Sequence, residues 1–278
     1  MRSIIVGTDF SKGSLVALEI ATEMANVLKT DICLMWVQQA NGLLGLNYDK
    51  QTETLAHQRL EEIVAEYGAR MKAGKMYFEI ARGKVAATIS NRAKELNAPI
   101  IVIGTNGASG YEKYVMGSTA ARIVQESPCP TLTVREGYSF ANGIRKIVLP
   151  LRPNSDNTRQ KVPPTAEIAR IFNAEVCMLG LYNYPEELSE LRVYLDQSSQ
   201  FLTKEGVKHT AAMQQCTNYC DAVIEFSEGI KADMMVINTE QDKVVQGIFL
   251  GTNAQQIVHK SQIPVLCVHP NDVFNVAR

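Results

Sequence analysis

The chain is written twice, and that repetition restricts what it can fold into more than any other feature. Residues 100–134 and 234–268 align without a gap at an offset of 134, with eleven identities in 35 pairs. Ile100-Ile101-Val102-Ile103-Gly104-Thr105 faces Met234-Met235-Val236-Ile237-Asn238-Thr239, and Pro130-Thr131-Leu132-Thr133-Val134 faces Pro264-Val265-Leu266-Cys267-Val268. The openings match at an offset near 143: Arg2-Ser3-Ile4-Ile5-Val6 resembles Arg145-Lys146-Ile147-Val148-Leu149. A repeat of this size is a folding unit, so it is read before any single element. The 278 residues are expected to form two domains, 1–140 and 141–278, joined near Tyr138–Gly143.

Within a copy the order of elements follows from hydrophobic spacing. Ile4–Gly7 is an apolar run too short for a helix and reads as a buried strand. Leu15, Leu18, Ala21, Ala25 and Leu28 recur at helical spacing and predict a helix over Ser14–Leu28. A strand at Ile32–Val37, a charged helix over Thr54–Met71 and a strand at Tyr77–Ile80 follow. The copy closes with a helix at Val85–Leu96, a strand at Ile100–Ile103, a helix at Ser118–Glu126 and a strand at Thr131–Val134. Continuous apolar strands alternating with helices predict an α/β fold, a parallel sheet with helices on both faces. The second copy repeats the order.

Composition removes several function classes. A net charge of −1 gives no global field for nucleic acid or an anionic membrane. No run approaches the ~18 apolar residues of a membrane span, and Asp9 and Lys12 interrupt the first apolar run before it resembles an export signal. Six cysteines, three of them inside apolar β-type runs, suggest a reducing compartment, and the cytoplasm is expected. Cys216-x3-Cys220 with His209 nearby makes a weak metal motif without a second pair. The four histidines show no consistent partners for a catalytic base.

The chemistry is expected in the loop after the fourth strand, because parallel sheets bind ligands beyond the carboxyl ends of their strands. There the chain reads Gly104-x2-Gly107-x9-Gly117-Ser118-Thr119. Gly104 and Gly107 would allow positive φ and let a phosphate approach bare amides. Gly117-Ser118-Thr119 opens a helix whose N-terminal N–H groups attract an anion, and Ser118 would add a hydroxyl or cap that helix. Asp9, after the first strand, reads either as a ligand group or as an N-cap.

This loop, the opening Val6-Gly7-Thr8-Asp9-Phe10-Ser11 and the closing Ser127-Pro128-Cys129-Pro130 together resemble the ATP-binding branch of the universal stress proteins. Two copies make the chain similar to the E-type tandem members of that family. The resemblance implies two Rossmann-like units of the adenine nucleotide alpha hydrolase type, each a five-stranded parallel sheet, packed as a pseudo-two-fold pair. It implies ATP, with Mg2+, held by Thr8, Asp9, Val37, Gly104, Gly107, Ser109, Gly117, Ser118 and Thr119. Asp9 would lie near ribose and phosphates, and the backbone at Val37 would read adenine. Trp36 departs from the histidine common before that valine in relatives and is expected under a helix or at the adenine edge.

The second copy departs further. Its loop reads Asn238-Thr239-Glu240-Gln241 before Gly251-Thr252, and the first-strand aspartate gives way to Leu149-Pro150-Leu151-Arg152. That copy is expected to bind no ATP and to serve structure or a protein partner. No Walker A lysine and no nucleophile–base pair stands out, so the leading expectation is a nucleotide-dependent stress-response or signalling module, not an enzyme. The alternatives are a slow ATPase or adenylyl-transferring enzyme, and an interaction module that binds nothing. Adenine nucleotide and an unidentified protein are the expected partners, with no nucleic acid and no membrane; a further homodimer is left open.

Overall fold

A computed structural model describes residues 2–39, 48–105, 117–153, 159–239 and 252–269. The chain divides into two compact units between Gly137 and Tyr138. In the first, β1 (Ser3–Gly7), α1 (Lys12–Leu28), β2 (Asp31–Gln38), α2 (Lys50–Gly68) and β3 (Met76–Arg82) are followed by α3 (Val85–Glu95), β4 (Ile101–Gly104), α4 (Ser118–Glu126) and β5 (Thr131–Val134). The strands lie in the order β3-β2-β1-β4-β5, every described pair parallel. Ile4, Ile5 and Val6 of β1 and Ile101 and Val102 of β4 are fully buried, because helices cover both faces of the sheet. This is the α/β fold that the apolar runs predict.

Local chemistry sets the helix ends. Ser11 caps α1, its side chain accepting from the Ser14 N–H, and Lys29 ends it in the left-handed region at φ 52°. Asp49 caps α2 by accepting from the Gln51 and Thr52 N–H groups. The helix therefore starts before the expected Thr54, at Lys50, because a carboxylate satisfies its first donors. α2 buries only Ala56, Leu60 and Ile63 and keeps its charged face in water.

The second unit repeats the plan with β6 (Lys146–Leu151), α5 (Val162–Phe172), β7 (Glu175–Tyr182), a 3-10 turn (Pro185–Glu187) and α6 (Leu188–Lys204). β8 (His209–Gln215), α7 (Tyr219–Gly229), β9 (Met234–Asn238), α8 (Thr252–Lys260) and β10 (Val265–Val268) complete it. Its strand order is β10-β9-β6-β7-β8, again parallel. The segment entering this unit is tied to it by Asp233, whose Oδ2 accepts from the Arg145 N–H at 2.8 Å and the Lys146 N–H at 2.9 Å. The Tyr138 hydroxyl donates to the Asp233 carbonyl, and burial together with the Asp233 charge pushes that phenol up to about 12. Phe140 meets Phe172 edge to face, their centroids 5.9 Å apart.

The units differ at one structural detail. In the first, the ladder between β1 and β4 runs to Gly7↔Ile103. In the second, the ladder between β6 and β9 stops at Val148↔Met235, and Pro150 stands where the first unit has Gly7. Proline has no N–H to extend a ladder, so β6 leaves β9 early.

Asp233→Ala is expected to destabilise the second unit by about 2–3 kcal/mol, the range for hydrogen bonds to a charged acceptor. Amide exchange at Arg145 and Lys146 should accelerate in that variant, while β1 and β4 stay protected.

Candidate functional site

The strand order reverses between β1 and β4, so the connections leaving these neighbouring strands run to opposite faces and open a crevice at their carboxyl ends. A cavity of about 380 Å³ occupies that crevice, within the usual range for small-molecule sites. Thr8, Asp9, Val37, Gly104, Gly117, Ser118 and Thr119 all line it, drawn together from β1, β2, β4 and the start of α4. Gly107 and Ser109 lie outside the described residues.

Each wall has its own chemistry. Met35, Val37, Val85, Ile89, Ile103 and Ile123 form an apolar side suited to a flat ring system. β2 continues to Gln38 past Met35, the last residue it pairs with β1, so on that edge its end borders the cavity, while its other edge stays paired with β3 through Gln38↔Arg82. The N-terminus of α4 lines the same cavity, where Gly117 is the cap residue and supplies no side chain to the first-turn donors. Ser118 and Thr119 are exposed there. An anion at this helix end meets N–H groups and the positive end of the dipole.

Three expectations change in detail. Asp9 is not the cap of α1; that is Ser11, while Asp9 Oδ1 accepts from the Ser11 N–H at 3.1 Å at the cavity mouth. Ser118 is not the cap of α4, because Gly117 fills that position with extended backbone and Ser118 is the first helical residue. Gly104 does not take positive φ. Its requirement is steric: a Cβ there would lie 2.9 Å from the backbone of Gly13 and of Ser14, at the start of α1. Gly117 is bare for a weaker reason, since its Cβ would meet only the Thr105 carbonyl at 3.4 Å.

Trp36 lines the cavity and stacks on Phe10, their ring centroids 6.2 Å apart and tilted by 24°. Phe10 reaches this position through a left-handed backbone at φ 65°, supported by its N–H donating to Thr8 Oγ1 at 3.1 Å. Thr8 is buried, and its hydroxyl shares a hydrogen bond of 3.1 Å with that of Ser14. Sequence spacing could not find the apolar side from α3, because Val85 and Ile89 read there as ordinary core positions.

Thiol and metal chemistry find little support. Burial raises the Cys33 thiol to about 12, helped by the charge of Glu79, and burial likewise raises Cys177, Cys216, Cys220 and Cys267. A thiol held protonated is a poor nucleophile and a poor ligand. Among the described residues no cluster of His, Cys, Asp or Glu could hold a metal ion. None of the described helices is long and apolar enough to cross a membrane.

Residues 1–135 match the model of the universal stress protein family. The universal stress protein YxiE of Bacillus subtilis is 28% identical over 146 residues, covering 48% of this chain and 99% of that protein. A universal stress protein of Mycobacterium tuberculosis is 22% identical over 289 residues, covering 95% of this chain and 98% of its own. The crystal structure of a universal stress protein from Archaeoglobus fulgidus superposes with a TM-score of 0.78 at 16% identity, covering 97% of this chain and 98% of that one. The similarity at that identity is one of fold.

Gly104→Ala is expected to cost about 1–3 kcal/mol of stability, the range for overpacking against fixed backbone. Gly117→Ala should stay within about 0.5 kcal/mol of the parent. Urea unfolding of both variants checks the contrast.

Proposed function

Because the chain belongs to the universal stress protein family through its first 135 residues, we propose that its first unit binds ATP with Mg2+. The bound nucleotide is then a signal read by a protein partner. The observation that carries this reading is the pairing, in one cavity, of apolar side chains with an α4 N-terminus whose cap residue, Gly117, has no side chain. Adenine lies against Val37 and Ile103, with the end of β2 supplying main-chain polar groups to its edge. Trp36, stacked on Phe10, closes the same end. The phosphates lie over Gly117, Ser118 and Thr119, where backbone donors replace the lysine and arginine that the described lining residues lack. Asp9 at the mouth serves the ribose hydroxyls or the metal that accompanies the phosphates.

Binding, not turnover, is the role this chemistry favours. Phosphoryl transfer needs charge and a positioned nucleophile at the γ-phosphate, and among the described residues the cavity lining offers one carboxylate and no cationic side chain. The second unit binds no ATP in this reading, since Arg152 and Asn238 stand where the first unit has Asp9 and Gly104.

Calorimetry with Mg-ATP should give one nucleotide per chain; two per chain, or none, contradicts the assignment. Ser118→Glu separates binding from folding. A carboxylate in the first turn of α4 suits the helix dipole, so the melting temperature should hold or rise. The same charge facing a triphosphate should weaken ATP by about tenfold or more, roughly 1.4 kcal/mol per decade.

A further inference from the structure

The second unit has its own cleft at the corresponding place in its fold. It measures about 500 Å³ and is lined by Arg152, Asn183, Thr217, Asn218, Asn253 and Gln256, together with Pro153, Leu181, Glu187 and Tyr219. In the repeat, Arg152 stands for Asp9, Tyr219 for Val85 and Asn253 for Thr119. The charge at the end of the first strand is thus inverted, and the apolar side has shrunk. Val223, Ile237 and Ile257, counterparts of Ile89, Ile103 and Ile123, do not line this cleft, and Leu181, Pro153 and the Tyr219 ring are the apolar groups of its described lining.

What the cleft does offer is a set of groups that suit hydroxyls and one negative charge. Four carboxamides, Asn183, Asn218, Asn253 and Gln256, each donate and accept, as a hydroxyl does. Asn218 Oδ1 is engaged in capping α7, accepting from the Cys220 and Asp221 N–H groups, which fixes the orientation of its Nδ2 donors. Asn253 Oδ1 lies 3.5 Å from the Cys220 thiol, which anchors it in turn. The Arg152 guanidinium sits 5.3 Å from the centre of the Tyr219 ring, a stacked arrangement that holds a cation at the cleft. Glu187, the one carboxylate among the described lining residues, has its Oε2 turned to the Asn183 and Tyr184 N–H groups at 2.7 and 3.4 Å. Those donors offset its repulsion of an anion. The early parting of β6 from β9 at Pro150 leaves Arg152 and Pro153 beside this opening.

We propose that this cleft is a second, separate binding site for a small polyhydroxylated anion, of the sugar phosphate or sugar acid class, with Arg152 meeting the anionic group and the carboxamides meeting the hydroxyls. The loss of the glycine loop in this unit is then an exchange of ligand class and not a loss of binding. The site goes beyond the nucleotide reading and does not depend on it.

Calorimetry on the full chain tests it with glucose 6-phosphate, gluconate, glucose and inorganic phosphate, each with and without saturating Mg-ATP. Glucose 6-phosphate or gluconate should bind at one site per chain with affinity unchanged by Mg-ATP; which of the two binds more tightly identifies phosphate or carboxylate as the anion. Arg152→Gln and, separately, the exposed Gln256→Leu should each weaken that binding at least tenfold with the melting temperature unchanged. The proposal is overturned if neither anionic sugar binds, or if Mg-ATP displaces it. It is equally overturned if glucose or inorganic phosphate alone binds as tightly, or if both variants bind like the parent.

Discussion

Neighbouring parallel strands whose crossovers leave to opposite faces cannot close the space above their carboxyl ends, and everything functional in this chain depends on that gap. β1 and β4 create it in the first unit. The gap is kept narrow by the contact of Gly104 with the backbone of Gly13 and Ser14, where no side chain fits. With α1 held against the end of β4, Thr8 and Asp9 line the same cavity as Gly117, Ser118 and Thr119 at the start of α4. The fold thereby brings apolar side chains and the N-terminus of α4 together in one cavity. In the proposed reading main-chain donors meet the phosphates, so such a site leaves a faint trace in overall charge.

The second unit shows how the same gap can be refitted. Pro150 interrupts the ladder that Gly7 extends, and the strand end beyond it presents Arg152 instead of a carboxylate. Ile89, Ile103 and Ile123 line the first cavity, whereas their counterparts Val223, Ile237 and Ile257 do not line the second; all six are buried. A duplicated fold thus keeps its scaffold energetics while its two crevices diverge in chemistry.

The sequence made the scaffold legible because buried parallel strands are unbroken apolar runs, such as Ile100–Ile103 and Val265–Val268, which no other element type explains at that length. Helix ends were less legible. Asp49 starts α2 before its apolar stripe begins, and Ser11 rather than Asp9 caps α1. At Gly104 the spacing suggests positive φ, whereas the requirement is steric, since spacing along the chain carries no information about how closely another helix approaches. The Phe10–Trp36 stack depends on a left-handed residue that is not glycine, which composition cannot signal. The second cleft stayed hidden because Arg152 and Asn253 are 101 positions apart and meet only through the topology.

In the proposed site the first-turn amides of α4 receive the phosphates of an adenine nucleotide. Hydrogen–deuterium exchange, residue by residue, with and without Mg-ATP, reads those amides directly. Slowed exchange at Ser118, Thr119 and Ala120 and around Thr8 and Asp9, with Asn218, Tyr219 and Cys220 unchanged, is the predicted pattern. Unaltered exchange at α4, or protection confined to the second unit, would contradict it.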